Sequence, residues 1–123
     1  MSCQKLLLRY CRTFVTNTNI DRGLEKYIRS LIHKSFPNDS IIGEEFEDKF
    51  SANDFQWCID PIDGTRAFVI GAPTWSNLIG LSFKGKSVLG LANFPELNKY
   101  YISEKNKSYV IKNKIKTNLK SSN

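Results

Sequence analysis

The feature that most constrains the fold is a strand-to-turn boundary within residues 55–65. The compact apolar run at residues 55–59 is typical of a buried β-strand, and Asp60-Pro61 follows it directly. Proline fixes its own φ angle and moves the preceding residue out of the helical region, so we expect the strand to end and the chain to turn at Asp60. The residues after Ile59 are therefore predicted to form a tight corner.

That corner carries oxygen atoms suited to binding a cation. Asp60 and Asp63 flank it, and the Ile62 carbonyl is expected to lack a strand partner. Mg²⁺ prefers hard oxygen ligands of these kinds. Gly64 permits close backbone approach, and its N–H together with that of Thr65 can meet a phosphate group. A simple turn in which Asp60 caps the backbone explains the same residues equally well, so the segment alone leaves both interpretations open.

The distribution of charge narrows the class of protein. The 123 residues carry 18 lysines and arginines against 12 acids, a net charge of +6, and most of the excess lies in residues 96–123. Those bases are spaced singly among Asn and Ser, which is typical of a solvated surface, so we do not expect a nucleic-acid partner. Residues 39–63 hold eight acids and one lysine, and this negative segment must be solvated or neutralised by cations.

Composition also bears on location and on the cysteines. No apolar run approaches the roughly 18 residues that a membrane-spanning helix needs, and no signal-peptide pattern opens the chain, so we predict no membrane partner. Cys3, Cys11 and Cys58 lack CxxC spacing and indicate reduced thiols in a cytoplasmic protein. We expect Cys58 in the core and His33 on the surface, rather than either in catalysis.

The apolar pattern predicts the order of helices and strands. Apolar residues at positions 24, 27, 28, 31 and 32 follow helical spacing and predict a helix over residues 21–36, ended by Pro37. A second helix is predicted over residues 6–14, and a hairpin turn at residues 84–86. The pattern indicates an α+β fold in a single domain over residues 1–123. The predicted strands are residues 41–42, 55–59, 75–83, 87–94, 99–103 and 108–111.

Other acids become candidates beside Asp60 and Asp63. Glu44 and Glu45 follow the predicted strand 41–42, and Asp21 begins the predicted helix. Each has an ordinary explanation when taken alone, because adjacent acids are typical of a solvated loop and an acid in a first helical turn interacts with the helix dipole. Taken with Asp60 and Asp63, they predict a cluster of carboxylates.

Five motifs occur in a fixed order along the chain. They are TxxDxxxE at residues 18–25, FP at 36–37, IIGEE at 41–45, WxIDPIDGT at 57–65 and VLGL at 88–91. This series resembles the inositol monophosphatase family of Mg²⁺-dependent phosphatases, and the resemblance extends from about Leu7 to Thr117. The wording DGTRAF and GAPTWSNLIGLS is most similar to the bacterial histidinol-phosphatase branch, which acts in histidine biosynthesis. The resemblance implies the layered helix and antiparallel-sheet N-terminal half of that fold.

The resemblance also implies roles for individual residues. The implied ligands of the cofactor, Mg²⁺, are Glu44, Asp60, the carbonyl of Ile62 and Asp63. The residues implied to orient and polarise the attacking water are Glu44, Thr65 and Asp21. The positions implied to hold the phosphate and substrate are Asp63, Gly64, Thr65 and Arg66.

The implied activity is hydrolysis of a small phosphate monoester by a water that the metal activates. Histidinol phosphate is the first candidate substrate, and inositol 1-phosphate or another sugar or nucleotide phosphate is the alternative. The sequence corresponds to about half of the family's length and lacks its later WDxAA-type motif, whose aspartate is a further metal ligand. We therefore expect this chain to bind at most one Mg²⁺ tightly and to turn over weakly or not at all by itself.

Two kinds of partner would complete such a chain. One is a second copy in a homo-oligomer, and the other is a separate polypeptide that supplies the C-terminal half. Two further interpretations stay open: a non-catalytic fragment of a split or decaying gene, and a basic module that binds anionic partners through the lysine-rich residues 96–123.

Overall fold

The apolar stripe of the predicted helix forms the buried face of helix α1. The computed structural model describes residues 20–120, and α1 spans Ile20–Ser35. Leu24, Ile28 and Ile32 follow helical spacing and are at most 5% exposed, so this face packs against the rest of the chain. The helix ends shortly before Pro37, which confirms the helix predicted over residues 21–36 to within one residue at each end.

Within residues 20–120, seven strands form one sheet and lie in it in chain order. The first two strands pair in parallel, and every later pair is antiparallel. Helix α2, Thr65–Val69, and a 3₁₀ turn, Pro95–Leu97, lie between strands, and the whole confirms the predicted α+β class. The strands are β1 Ser40–Gly43, β2 Phe55–Asp63, β3 Ser76–Phe83, β4 Lys86–Phe94, β5 Lys99–Glu104, β6 Lys107–Lys112 and β7 Ile115–Leu119.

Two-residue turns allow successive strands to pair directly. Residues 84–85 join β3 to β4 at the predicted hairpin, residues 105–106 join β5 to β6, and residues 113–114 join β6 to β7. Both residues of each turn have positive φ angles, as a type I′ turn requires. The backbone twist of this turn type matches the twist of the flanking strands, so the meander needs no longer connections there.

Strand β2 continues through the corner at which the sequence predicts its end. It runs to Asp63, whereas the predicted strand ends at Ile59. The reason lies in its neighbours, because β1 pairs with β2 only as far as Gly43 opposite Ile59, and the ladder with β3 is interrupted between Asp60 and Asp63. Pro61 therefore falls where neither neighbouring strand needs its missing N–H, a setting in which a strand tolerates proline.

Strand β7 is a difference between the structure and the sequence prediction. The sequence pattern does not predict β7, because all of its residues are exposed and it lacks the alternation that identifies a half-buried strand. The helix predicted over residues 6–14 lies outside the described residues, and the single domain over residues 1–123 stays a prediction. No helix within residues 20–120 is both long and apolar enough to cross a membrane.

The core lies on the face of the sheet that α1 covers. Trp57 and Ile59 of β2 are 1% and 4% exposed and belong to it. Cys58 is exposed, so the prediction that it lies in the core is wrong. Successive side chains of a strand point to opposite faces, and burial of both neighbours beneath α1 places the Cys58 thiol on the other face. The core cluster comprises Leu24, Ile28, Ile32, Ile41, Trp57, Ile59, Ile79, Leu91, Ile102 and Tyr109.

The opposite face of the sheet carries an open groove of about 640 Å³. Cys58, Gly80, Gly90 and Ser103 pair across strands β2 to β5, so small residues form its floor. Glu44 and Asp60 line the same groove, which places candidate site residues next to an open surface.

Replacing Ile28 of α1 tests how much the packing of this helix stabilises the sheet. Ile28 is 2% exposed, and Ile28→Ala leaves a cavity between α1 and the strands, so we expect the free energy of unfolding to fall by about 2–5 kcal/mol. Lys26→Ala on the exposed face of the same helix should change it by less than about 0.5 kcal/mol. Urea unfolding of both variants gives the two values, and equal losses would contradict the packing described.

Candidate metal and phosphate site

The parallel pairing of β1 and β2 brings two candidate acids to the same end of the sheet. Gly43 lies opposite Ile59 at the end of this pairing, and the next residue of each segment is an acid, Glu44 in one and Asp60 in the other. Since parallel strands run in the same direction, the residues that follow the paired segments lie at the same end of the sheet. The sheet therefore unites motifs that are well separated in the sequence.

Asp60 is the most perturbed carboxyl group of this region. Its Oδ1 is buried and has no hydrogen-bond partner within residues 20–120. Burial, followed by the negative charges of Glu44, Asp63 and Asp21, raises the pKa of Asp60 to about 6, and a backbone hydrogen bond at Ile62 opposes this increase. An unpaired buried carboxyl oxygen among three other acids is the electrostatic setting that a bound cation would relieve.

Asp21 lies in the first turn of α1 and comes within electrostatic range of Asp60. Partial burial raises the pKa of Asp21 above its usual value. Acids from three parts of the fold, namely the start of α1, the end of β1 and the end of β2, thus lie within electrostatic range of Asp60. The role of each of these acids in a site stays a prediction.

The corner of β2 is held by a buried chain of amide groups. Asn77 of β3 donates a 2.6 Å hydrogen bond from Nδ2 to the Pro61 carbonyl, and Asn93 of β4 donates a 2.8 Å bond to Asn77 Oδ1. Both asparagines are at most 7% exposed. Sequence reasoning missed them, although a polar amide between apolar strand residues is the signal that marks a buried hydrogen-bond partner.

The Ile62 carbonyl, which is expected to lack a strand partner, accepts a hydrogen bond from a side chain. Thr65 Oγ1 donates a 3.3 Å hydrogen bond to it. Because a carbonyl oxygen has two lone pairs, this bond leaves room for a further interaction. It also joins two predicted site residues directly, one assigned to the metal and one to the attacking water.

Gly64 forms the tight link between β2 and α2. Its φ angle of 78° and ψ angle of 48° place it in the left-handed region, which favours glycine. Thr65 and Arg66 follow as the first residues of α2, and both are exposed at the surface of the corner. The predicted phosphate-binding positions therefore sit together immediately after the acids of β2.

The donor set fits Mg²⁺ in kind, since carboxylate and carbonyl oxygens are its preferred ligands and Asp60 Oδ1 has no hydrogen-bond partner in the part of the chain that the structure describes. Within residues 20–120, however, no three His, Cys, Asp or Glu side chains gather closely enough to enclose a metal ion. Like charges repel one another. The acids act on Asp60 through their charges but do not converge on one point.

Two residues set aside by the sequence analysis stay apart from these acids. His33 is exposed on α1, with its Nδ1 3.5 Å from Lys49 Nζ, which confirms the surface position expected for it. Cys58 has no described disulfide partner and lines the open groove.

Comparison with known proteins gives histidinol-phosphatases among the relatives of this chain. Over 88 residues the chain is 44% identical to a histidinol-phosphatase of Chlorobaculum parvum, a match that covers 72% of this chain and 34% of the relative. Over 82 residues it is 38% identical to a histidinol-phosphatase of Mycobacterium tuberculosis, covering 67% of this chain and 32% of the relative. The matched part of the chain thus spans about a third of the length of these relatives.

The fold is also similar to that of a solved SuhB structure. The structure of Mycobacterium tuberculosis SuhB superposes with a TM-score of 0.75 at 26% identity, covering 86% of this chain and 41% of SuhB. A sequence model described as the inositol monophosphatase family matches residues 13–123. Motifs, strand order and the match over most of the sequence agree, and the chain therefore belongs to the inositol monophosphatase family.

Proposed function

We propose that this chain supplies the metal- and phosphate-binding part of a Mg²⁺-dependent phosphomonoesterase. The observation that carries the proposal is Asp60, whose buried Oδ1 has no hydrogen-bond partner among the described residues and whose pKa is raised to about 6 by burial and by three neighbouring acids. A fold that only needed a turn at this position would gain nothing from unpaired negative charge there. A cation held by these acids accounts for the arrangement.

The chain offers four groups that would hold the cation. The proposed ligands are Glu44, Asp60, the Ile62 carbonyl and Asp63. Bound Mg²⁺ would neutralise charge on the phosphate and make a nearby water more acidic. The Asn93–Asn77–Pro61 hydrogen bonds fix the backbone between two of these ligands, so that part of the site needs little rearrangement on binding.

The remaining site residues handle the water and the phosphate. We assign Thr65, supported by Asp21 and Glu44, to orienting the attacking water, since its hydroxyl is already directed toward the corner through the Ile62 carbonyl. We assign the backbone N–H groups of Gly64 and Thr65 to the phosphate oxygens, and the Arg66 guanidinium is suited to the same anion.

Histidinol phosphate is the substrate we favour. Support comes from two relatives that are histidinol-phosphatases, at 44% and 38% identity. Inositol 1-phosphate or another sugar or nucleotide phosphate is the second candidate, supported by the family to which the chain belongs. The open groove beside Glu44 and Asp60 offers a surface for a second copy or a separate polypeptide that completes the site.

Phosphate release from the 123-residue chain tests the proposed activity. Histidinol phosphate and inositol 1-phosphate are compared with and without Mg²⁺, for the unmodified chain and for Asp60→Asn. We expect release to require Mg²⁺ and to fall in the variant by more than the roughly 10- to 100-fold loss that removal of a group supporting a metal ligand causes. The isosteric change Asp54→Asn, at an exposed acid away from the corner, should leave release unchanged.

The possible outcomes separate the interpretations. Release that depends on Mg²⁺ and on Asp60 supports a phosphatase and ranks the two substrates. A folded chain that releases phosphate from neither substrate would show that it is not a phosphatase by itself and that the reaction needs groups from a partner, in line with the weak or absent turnover expected for the chain alone.

The raised pKa of Asp60 predicts how stability depends on pH without metal. A carboxyl group that binds its proton more tightly in the folded state stabilises the fold below its usual pKa of 3.8, and this contribution is lost as the pH rises through about 6. Asp60→Asn cannot ionise, so in EDTA its free energy of unfolding should rise relative to that of the unmodified chain between pH 4 and pH 7. Urea unfolding across this range measures the difference, and a pH-independent difference would contradict it.

A further inference from the structure

Glu25 is a buried acid that the proposed chemistry does not use. It lies in α1 and is 0% exposed. Its Oε1 accepts a 2.8 Å hydrogen bond from Arg29 Nε, and its Oε2 accepts bonds from the backbone N–H groups of Glu44 at 3.1 Å and Glu45 at 2.7 Å. A buried carboxylate is tolerated where its charge is paired and its oxygens are bonded, and both conditions are met here.

Gly43 leaves the space that the Glu25 carboxylate occupies. A Cβ atom at position 43 would overlap Oε1 of Glu25 and lie 2.8 Å from Nη2 of Arg29. Glycine is therefore required by close packing and not by its φ angle. The end of β1 rests directly on the buried ion pair.

The carbonyl groups of the same segment are held from α1 as well. Arg29 Nη2 donates to the Phe46 carbonyl and Arg22 Nη1 donates to the Glu45 carbonyl, each at 3.3 Å. The Arg22 guanidinium also lies 4.6 Å from the centre of the Phe46 ring. Side chains of one helix thus fix the backbone on both sides of Glu44.

This restraint acts against a specific force. Glu44 and Asp60 repel each other when no cation is bound, and an unrestrained loop would relax by moving Glu44 away. Hydrogen bonds from backbone N–H groups to an ionised carboxylate are stronger than neutral ones, so Glu25 is well suited to oppose that movement.

We propose that Glu25 is a positioning residue for the cation site. Through the N–H groups of Glu44 and Glu45 it holds the Glu44 carboxylate on the side of Asp60, and so raises the affinity for a divalent cation without contacting it. Because Glu44 is taken as a cation ligand, the role of Glu25 rests on the proposed function.

Titration of the 123-residue chain with Mn²⁺ alone, followed by the electron paramagnetic resonance signal of free Mn²⁺, tests this role. In Glu25→Gln an NH₂ group replaces one acceptor oxygen, and it cannot accept a bond from a backbone N–H. We expect the Mn²⁺ affinity to fall about tenfold, the scale seen when a group that supports a metal ligand is removed. Gly43→Ala, which displaces the carboxylate but keeps its charge, should lower the affinity similarly.

Ile28→Ala separates positioning from a general loss of stability. It weakens the packing of the same helix but removes none of the hydrogen bonds that Arg22, Glu25 and Arg29 make to residues 44–46, so its Mn²⁺ affinity should equal that of the unmodified chain. Circular dichroism confirms which variants are folded. An equal loss of affinity in folded Ile28→Ala would overturn the positioning role.

The double variant Glu25→Gln/Glu44→Gln tests whether Glu25 acts through Glu44. If it does, the double variant should bind Mn²⁺ no more weakly than Glu44→Gln alone, because the two effects share one path. Additive losses, or unchanged affinity in folded Glu25→Gln and Gly43→Ala, would overturn the positioning role and leave the proposed function intact. A folded unmodified chain that binds no Mn²⁺ would overturn both.

Discussion

Because β1 and β2 run parallel with Gly43 opposite Ile59, the acids that follow them must lie at one end of the sheet. Helix α1 packs against β2, and Ile41 of β1 lies in the same buried cluster as Trp57 and Ile59 of β2. The parallel pair is the one departure from the antiparallel order of the described sheet. The register of this parallel pair therefore determines where negative charge accumulates.

The candidate site is held mainly by groups around it rather than by bonds among its own acids. Asn77 holds the Pro61 carbonyl, and Glu25 holds the N–H groups of Glu44 and Glu45. Both supporting residues are buried, and each is itself hydrogen-bonded to a further side chain, Asn93 or Arg29. Rigid surroundings of this kind keep mutually repelling carboxylates close, at a cost that the rest of the fold must offset.

Local sequence signals predicted the parts of this fold that depend on local chemistry. Helical spacing identified α1, apolar runs identified most strands, and the resemblance to a family assigned the acids of the corner. The extension of β2 through Pro61 was missed because it depends on where neighbouring strands stop pairing. The exposure of Cys58 depends on which face α1 covers, and the burial of Glu25 depends on a segment about 20 residues further along.

Non-local contacts also explain why the site is harder to predict than the fold. In the sequence, Glu25 resembles an ordinary surface acid on a helix. Its burial depends on Gly43, which packs directly against its carboxylate. Asn77 and Asn93 interrupt apolar strands, but their function appears only once β2, β3 and β4 are adjacent. The roles assigned to individual site residues stay predictions.

Both edges of the described sheet could pair with a strand of another chain, and they are protected from this in different ways. At the β1 edge, the isolated bridge between Ile41 and Lys49 uses backbone groups that would otherwise be free to pair with another chain. At the other edge β7 is fully exposed, and lysines lie within and around it, with Lys116 placed 4.1 Å from the centre of the Tyr109 ring. Lysine on an edge strand discourages the addition of further strands. The lysines at this edge of the described sheet therefore have a structural explanation that requires no anionic partner.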